Sequence, residues 1–417
     1  MLVGNQKNRL LGISIVLLLL LVVATLIPRV SAFNYVHYWR AHFSGSLEVT
    51  GNNSMPVSPY WDYVGNTTWQ ICEQLSFSMT LNNSPIVITE LDVDADGNPR
   101  LTLNLTSRLS PHEILRWDEE WLFTVVNQRP MLPHISITQS GRIEDIENLM
   151  ETEEYIRYTR STTLWKTGNI SLIGLSQLIR DGLPEEQRNN VLALIYATIQ
   201  WIQTNIERSS GVTEPQYPEE TIVSEIGDCD DQSNLLIVLL RIFDIPSYLT
   251  TGHWFQEGAR TSGFIWGSVA ENAYRYVDYK NSVGHGWAMI FVPPWGWLPF
   301  DLFTLESGGA PANAYTESLF ASNLPFVTLW QIVASDYIAE RRTEEANLFT
   351  YEVHQIELEE WMSLGSIPII DYEYLVANIV TLIVLIITLG FLTFLVGLAT
   401  RRHPQEEPSH ESTALIQ

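Results

Sequence analysis

Ile226-Gly227-Asp228-Cys229-Asp230-Asp231-Gln232-Ser233, running on into Asn234-Leu235-Leu236-Ile237-Val238-Leu239-Leu240-Arg241, is the stretch that decides the fold. A turn over Ile226 to Asp228 delivers a cysteine to the first turn of an apolar helix. Asp228 is a good N-cap, and Asp231, three positions on, is an acidic partner near the capping-box position. Leu235, Leu236, Val238, Leu239 and Leu240 predict a buried helix, which ends near Phe243 because Asp244-Ile245-Pro246 cannot continue it. Helix N–H groups and the helix dipole favour negative charge at Cys229, which lowers a thiol pKa. Asp230 and Asp231 oppose this, so a cationic partner is required.

Downstream, Gly284-His285-Gly286-Trp287-Ala288-Met289-Ile290-Phe291-Val292 reads as a strand. A Pro-Pro-Trp-Gly turn at Pro293 to Gly296 leads to a second short strand, Trp297-Leu298-Pro299-Phe300, that ends at Asp301. Such a hairpin brings its outer ends together, so His285 and Asp301 can be neighbours. Cys229, His285 and Asp301 then supply the parts of a catalytic triad: a nucleophile, a proton carrier and an orienting carboxylate.

The pattern Gly-x-Cys-x-Asp-x-Ser at Gly227 to Ser233, His-x-Trp at His285 and Gly-Trp-x-Pro-x-Asp at Gly296 to Asp301 resembles the transglutaminase-like superfamily. The resemblance covers roughly residues 150 to 305, including a helix from about Glu185 to Glu207 and the Tyr217-Pro218 lead-in. It implies a papain-like α+β core, a thioester intermediate, and transglutamination, amide hydrolysis or peptide cleavage, hydrolysis being the reading favoured here. The backbone N–H of Cys229 is the expected oxyanion donor. No cofactor and no metal is expected. A rival reading keeps the fold for cell-surface binding or envelope structure without catalysis.

The chain has 417 residues, room for two or three domains, and 46% hydrophobic residues. Its 23 basic against 48 acidic residues leave a net charge of -25, which argues against nucleic acid as a partner. Two cysteines, Cys72 and Cys229, do not make a disulfide framework, although they could pair with each other. The expected partners are a peptide or protein substrate and a membrane.

Leu10 to Ile27 is apolar, follows Lys7 and Arg9, and precedes Val30-Ser31-Ala32, so residues 1–32 read as a signal anchor or a cleaved signal peptide. Residues 374–400 are uncharged and end at Arg401-Arg402, predicting a transmembrane helix with a cytoplasmic tail at 401–417. Residues about 33–370 are then extracytoplasmic, at the cell membrane. Five sequons, at Asn52, Asn66, Asn82, Asn104 and Asn169, suit a glycoprotein.

Between these ends, short alternating runs at Ile86 to Thr89, Leu101 to Leu105 and Trp121 to Val126 predict an immunoglobulin-like β-sandwich over 33–140. Residues 141–169 read as a linker and 170–305 as the catalytic domain. Ser247 to Gly252 reads as a strand and His253 to about Tyr274 as a loop. Residues 306–373 form an extension of uncertain pairing, with a strand over Thr350 to Leu358. Asp92-x-Asp-x-Asp-Gly is closer to a hairpin turn than to a calcium loop, because the twelfth position is Leu103 where a bidentate Glu is needed.

Overall fold

The computed structural model describes residues 34–126, 135–209, 214–302 and 326–369, with 388, 390 and 391. Both apolar stretches read as membrane segments, 10–27 and 374–400, lie essentially outside these residues, as does the tail. Among the described residues no helix is long and apolar enough to cross a membrane. The chain divides into two units, Met1–Pro368 and Ile369–Gln417, and the helices named below and the site lie in the first.

Twelve strands matter here: β1 (Asn34–Val49), β2 (Tyr60–Asp62), β3 (Gln70–Leu81), β4 (Ser84–Pro85), β5 (Ile88–Val93), β6 (Pro99–Leu103), β7 (Ile114–Val126), β8 (Ser247–Ser268), β9 (Ala273–Val292), β10 (Gly296–Phe300), β11 (Phe326–Ile332) and β12 (Val353–Ile369). The helices are α1 (Ile143–Ile146), α2 (Thr152–Thr159), α3 (Ile170–Asp181), α4 (Val191–Asn205), α5 (Pro218–Ser224), α6 (Cys229–Ile242) and α7 (Tyr337–Thr350). One nine-stranded sheet runs in the order β11-β8-β9-β12-β1-β7-β3-β4, with β10 added to β9. A small β2-β6-β5 sheet stands apart.

The expected sandwich does not form a separate domain. Its long strands β1, β7 and β3 continue the sheet that carries β8 and β9. The inward residues Trp39, Ala41, Trp121, Phe123 and Val125 are covered by Phe255, Val327, Leu329 and Trp361, all from later in the chain. The 306–373 extension supplies that join: β11 pairs antiparallel with β8, and β12 lies parallel to β9 from Tyr274↔His354 to Lys280↔Glu360. The expected linker 141–169 holds α1 and α2 and buries Ile146, Met150, Leu164 and Trp165 among the helices. The expected loop after His253 is strand: β8 and β9 stay paired to Ser268↔Ala273, with bulges between Phe255 and Arg260 and between Phe264 and Trp266. Gly258 and Gly267, at φ +82° and +62°, take backbone conformations that most side chains avoid.

The main core lies between the helices and one face of the sheet. Leu235, Leu236, Ile237, Val238, Leu239 and Leu240 of α6 are buried there against Leu249, Ala288, Ile290 and the apolar residues of α4. α4 is shorter than the reading from Glu185, which begins in a 3-10 turn over Glu185–Gln187. Arg241, also buried, donates to the carbonyls of Ser247 (2.7 Å), Val333 (3.1 Å) and Arg160 (3.1 Å). It thereby ties the end of α6 to β8 and to the segment entering α7.

The acidic run at 92–98 is a hairpin turn between β5 and β6, paired Val93↔Pro99. Asp94 Oδ1 accepts the N–H groups of Asp96 and Asn98, each at 2.8 Å. Asp96 in turn accepts from Ala334 N at 2.6 Å and from the Ser335 hydroxyl, while Asn98 exchanges two bonds with the Gln331 backbone, both 2.8 Å. These carboxylates are occupied by backbone donors, and the turn fixes the corner from which α7 departs.

Candidate active site

Cys229 is the first residue of α6. Asp228 caps the helix, and its N–H donates to Asp231 Oδ2 at 3.2 Å. Asp231 is wholly buried and also accepts from Gln216 N (2.7 Å) and Nε2 (3.3 Å). Burial, then the charge of Asp230, pushes its carboxyl up to about 6 against these donors. The turn before Cys229 is thus fixed by a side chain two residues beyond it.

His285 is carried on β9 opposite Gly252. β10 pairs Ala288↔Phe300, which returns Asp301 alongside the histidine strand. His285 Nε2 lies 2.9 Å from Asp301 Oδ2, with side chains 2% and 7% exposed, so water hardly screens the pair. Nδ1 remains as the nitrogen for the thiol, and Cys229 is hydrogen-bonded to the imidazole. Trp287 stacks near the ring at 6.0 Å and Trp254 lies 6.2 Å away, closing the site's apolar wall. Glycine at 286 is a steric need: a Cβ there would sit 3.0 Å from that of Asp230. The bare backbone lets the head of α6 approach β9.

Burial alone would lower the basicity of His285. The charge and hydrogen bond of Asp301, then those of Cys229, outweigh it and raise the imidazole to about 10. The thiol departs from the sequence expectation. Burial pushes Cys229 up, His285 pulls it down, and Asp230 and Asp228 push it up again. The helix terminus is therefore not enough: His285 must pull the thiol down against burial and the two neighbouring carboxylates.

The three residues expected from sequence are brought together. Tyr337 joins them without any mark in the sequence to announce it. Its hydroxyl donates to Asp230 Oδ2 at 2.6 Å and accepts from Asn234 Nδ2 at 2.7 Å. Trp165 Nε1 donates to Asn234 Oδ1 at 3.2 Å. A helix lying beyond the last motif carries no local signal for this role. Asp228, Cys229 and Asp230 hold potential ligand atoms within 4.8 Å of one another. The Asp228–Asp230 hydrogen bond and the Tyr337 contact account for their closeness without a metal. Cys72 lies elsewhere: it is a free thiol on β3, as Cys229 is on α6, and no disulfide joins them.

This arrangement has a thiol at a helix head, an imidazole against it and a sealed carboxylate behind. Residues 182–302 match the Transglutaminase-like superfamily, and the chain carries a domain of that superfamily. No curated protein matches the chain. Among solved structures, a candidate cysteine protease from Cytophaga hutchinsonii is similar at 16% identity and a TM-score of 0.46, over 79% of this chain and 93% of that one. The periplasmic domain of TgpA from Pseudomonas aeruginosa, solved with ethylmercury, is similar at 14% identity and a TM-score of 0.29, over 64% and 89%. A candidate protease from Parabacteroides distasonis has 9% identity and a TM-score of 0.22, over 58% and 59%.

Proposed function

We propose that this chain is a membrane-anchored, extracytoplasmic thiol enzyme acting on peptide or protein amide bonds. The observation that carries the reading is the buried His285–Asp301 ion pair beside Cys229 at the head of α6. Sγ of the Cys229 thiolate, paired with the His285 imidazolium that Asp301 orients, attacks the amide carbonyl carbon. The oxyanion faces the N-terminal N–H groups of α6, which lack intrahelical partners. His285 returns the proton to the departing amine, leaving a thioester. Water, deprotonated by His285, then gives the acid and frees the thiol. The same thioester would pass to a lysine amine in cross-linking, and hydrolysis is preferred here on family analogy. Membrane anchoring rests on the apolar stretches 10–27 and 374–400 and their basic flanks.

The test compares the full chain with Cys229→Ala on a mixture of peptides, with and without an added primary amine. Acid products from the parent and none from the variant are expected. Undiminished turnover by Cys229→Ala ends the nucleophile assignment, and amine incorporation in place of acid would make the enzyme a transglutaminase. Protease cleavage between the apolar stretches in intact cells is the expected topology result, and protection would reverse it.

A further inference from the structure

Cys229 is flanked by two carboxyl groups that are hydrogen-bonded to each other, Asp228 and Asp230. Which of them holds the proton decides where negative charge stands beside the nucleophile. The bonding partners bear on it, because they fix which groups donate. An indole N–H can only donate, so Asn234 Oδ1 accepts from Trp165. The amide of Asn234 must then present its NH₂ to Tyr337, whose oxygen accepts it. The Tyr337 hydroxyl is left to donate, and its acceptor is Asp230 Oδ2 at 2.6 Å. Trp165 and Asn234 are both fully buried, so this polarity is not open to exchange with water.

We infer that Tyr337 is a positioning residue for the nucleophile: by donating to Asp230 it keeps the anion of the Asp228–Asp230 pair on the carboxylate that bears more heavily on Cys229. The inference rests on the thiol-enzyme reading above. The proton resides on Asp228, which burial and then Asp230 push up to about 9. Asp230 stands ahead of Asp228 among the groups that hold the Cys229 proton in place. The titratable groups that interact with Asp230 are Asp228, Cys229 and Asp231 around the head of α6 and Tyr337 on α7, while His285 on β9 faces Cys229. Of these only His285 favours the thiolate. Tyr337 thus sets a brake that a bound substrate must relieve, and it does so from a helix beyond the superfamily domain. Helix α7 is held for this task. Asp96 bonds the residues just before it, Tyr217 Oη donates to Asp336 at 3.1 Å, and Arg342 reaches Glu220 at 2.8 Å.

The experiment is the rate of iodoacetamide alkylation of Cys229 against pH, mapped by mass spectrometry on the full chain. Four variants are compared with the parent: Tyr337→Phe, Asp230→Asn, the double variant and His285→Ala. Without the hydroxyl the shared proton moves towards Asp230 and the anion retreats to Asp228. Tyr337→Phe is expected to move the profile to lower pH by about half a unit, about threefold faster labelling on its rising limb. Asp230→Asn moves it at least as far, and the double variant no further than Asp230→Asn. A structural role for Tyr337 would lower yield or stability without an acid shift. An unmoved profile for Asp230→Asn overturns the inference, even if Tyr337→Phe does not fold. So does a Tyr337→Phe shift that persists undiminished in the Asp230→Asn background. His285→Ala tests the underlying reading separately: if it leaves the profile unchanged, the thiol–imidazole pair fails while the other arms still decide the role of Tyr337.

Discussion

Replacing Asp301 by Asn keeps the shape of the side chain and removes the charge that His285 faces at 2.9 Å. The imidazole rises from an ordinary 6.5 to about 10 in the folded chain, with Asp301 first among the raising causes. At about 1.4 kcal/mol per tenfold change, that rise corresponds to roughly 5 kcal/mol of folding stability. Stripping one partner from a buried ion pair costs about 3–5 kcal/mol by comparison. The sign follows from linkage. A base whose folded pKa lies above its unfolded value contributes fully below the unfolded pKa, here 6.5, and loses that contribution as the pH climbs through about 10. The stability gap between the parent and Asp301→Asn is therefore expected to be about 3–5 kcal/mol at pH 6.5 and under about 1 kcal/mol near pH 10. Urea unfolding of the full chain at several pH values, followed by tryptophan fluorescence, measures it. An equal gap at pH 6.5 and pH 10 would refute the charge-pair account and assign the loss to packing.

Two more outcomes rest on geometry and burial. Gly286→Ala drives a Cβ to within 3.0 Å of the Asp230 Cβ, so α6 must shift from β9 at a cost of roughly 1–3 kcal/mol. Turnover should fall by more than the stability loss explains, and an active, equally stable variant would show that the approach of the two backbones is not needed. In native protein at pH 8, iodoacetamide should label Cys229 before Cys72. Burial pushes the Cys72 thiol up to about 12 against a hydrogen bond from Gln70. Peptide mapping over a time course decides, and labelling of Cys72 first would contradict the assignment.

The parts of the site that local chemistry fixes are legible in the sequence. An Asp cap and a Pro stop bound α6, and the structure gives Cys229–Ile242. Pro293 to Gly296 turn β9 into β10, which is why His285 and Asp301 meet. The features that sequence does not disclose are those set by distant partners. Alternation in β1 and β7 shows that Trp39, Trp121 and Phe123 face a core, but not that Trp361 and Val327 cover them. Gly258, Gly263 and Gly267 read as loop because glycine weakens a strand, yet here the hairpin absorbs them along its length. The thiol's state departs from expectation for a related reason. A helix terminus is a local and visible advantage, whereas burial and the orientation of Asp230 depend on β9 and α7.

These distant partners also complete the sheet and the hydrogen bonds of the superfamily domain from outside its span. Residues 182–302 contain Cys229, His285 and Asp301, but β8 pairs with β11 and β9 with β12, both outside that span. Trp165, which starts the hydrogen-bond chain, precedes it, and Tyr337, which ends the chain on Asp230, lies beyond it. The turn at Asp94 to Asn98, from the N-terminal strands, grips the corner that launches α7. An N-terminal segment is therefore connected to the neighbourhood of Cys229 by contacts: Asp96 to the Ala334 corner, along to Tyr337, and from its hydroxyl to Asp230. The first and last links are short bonds to buried or partly buried partners.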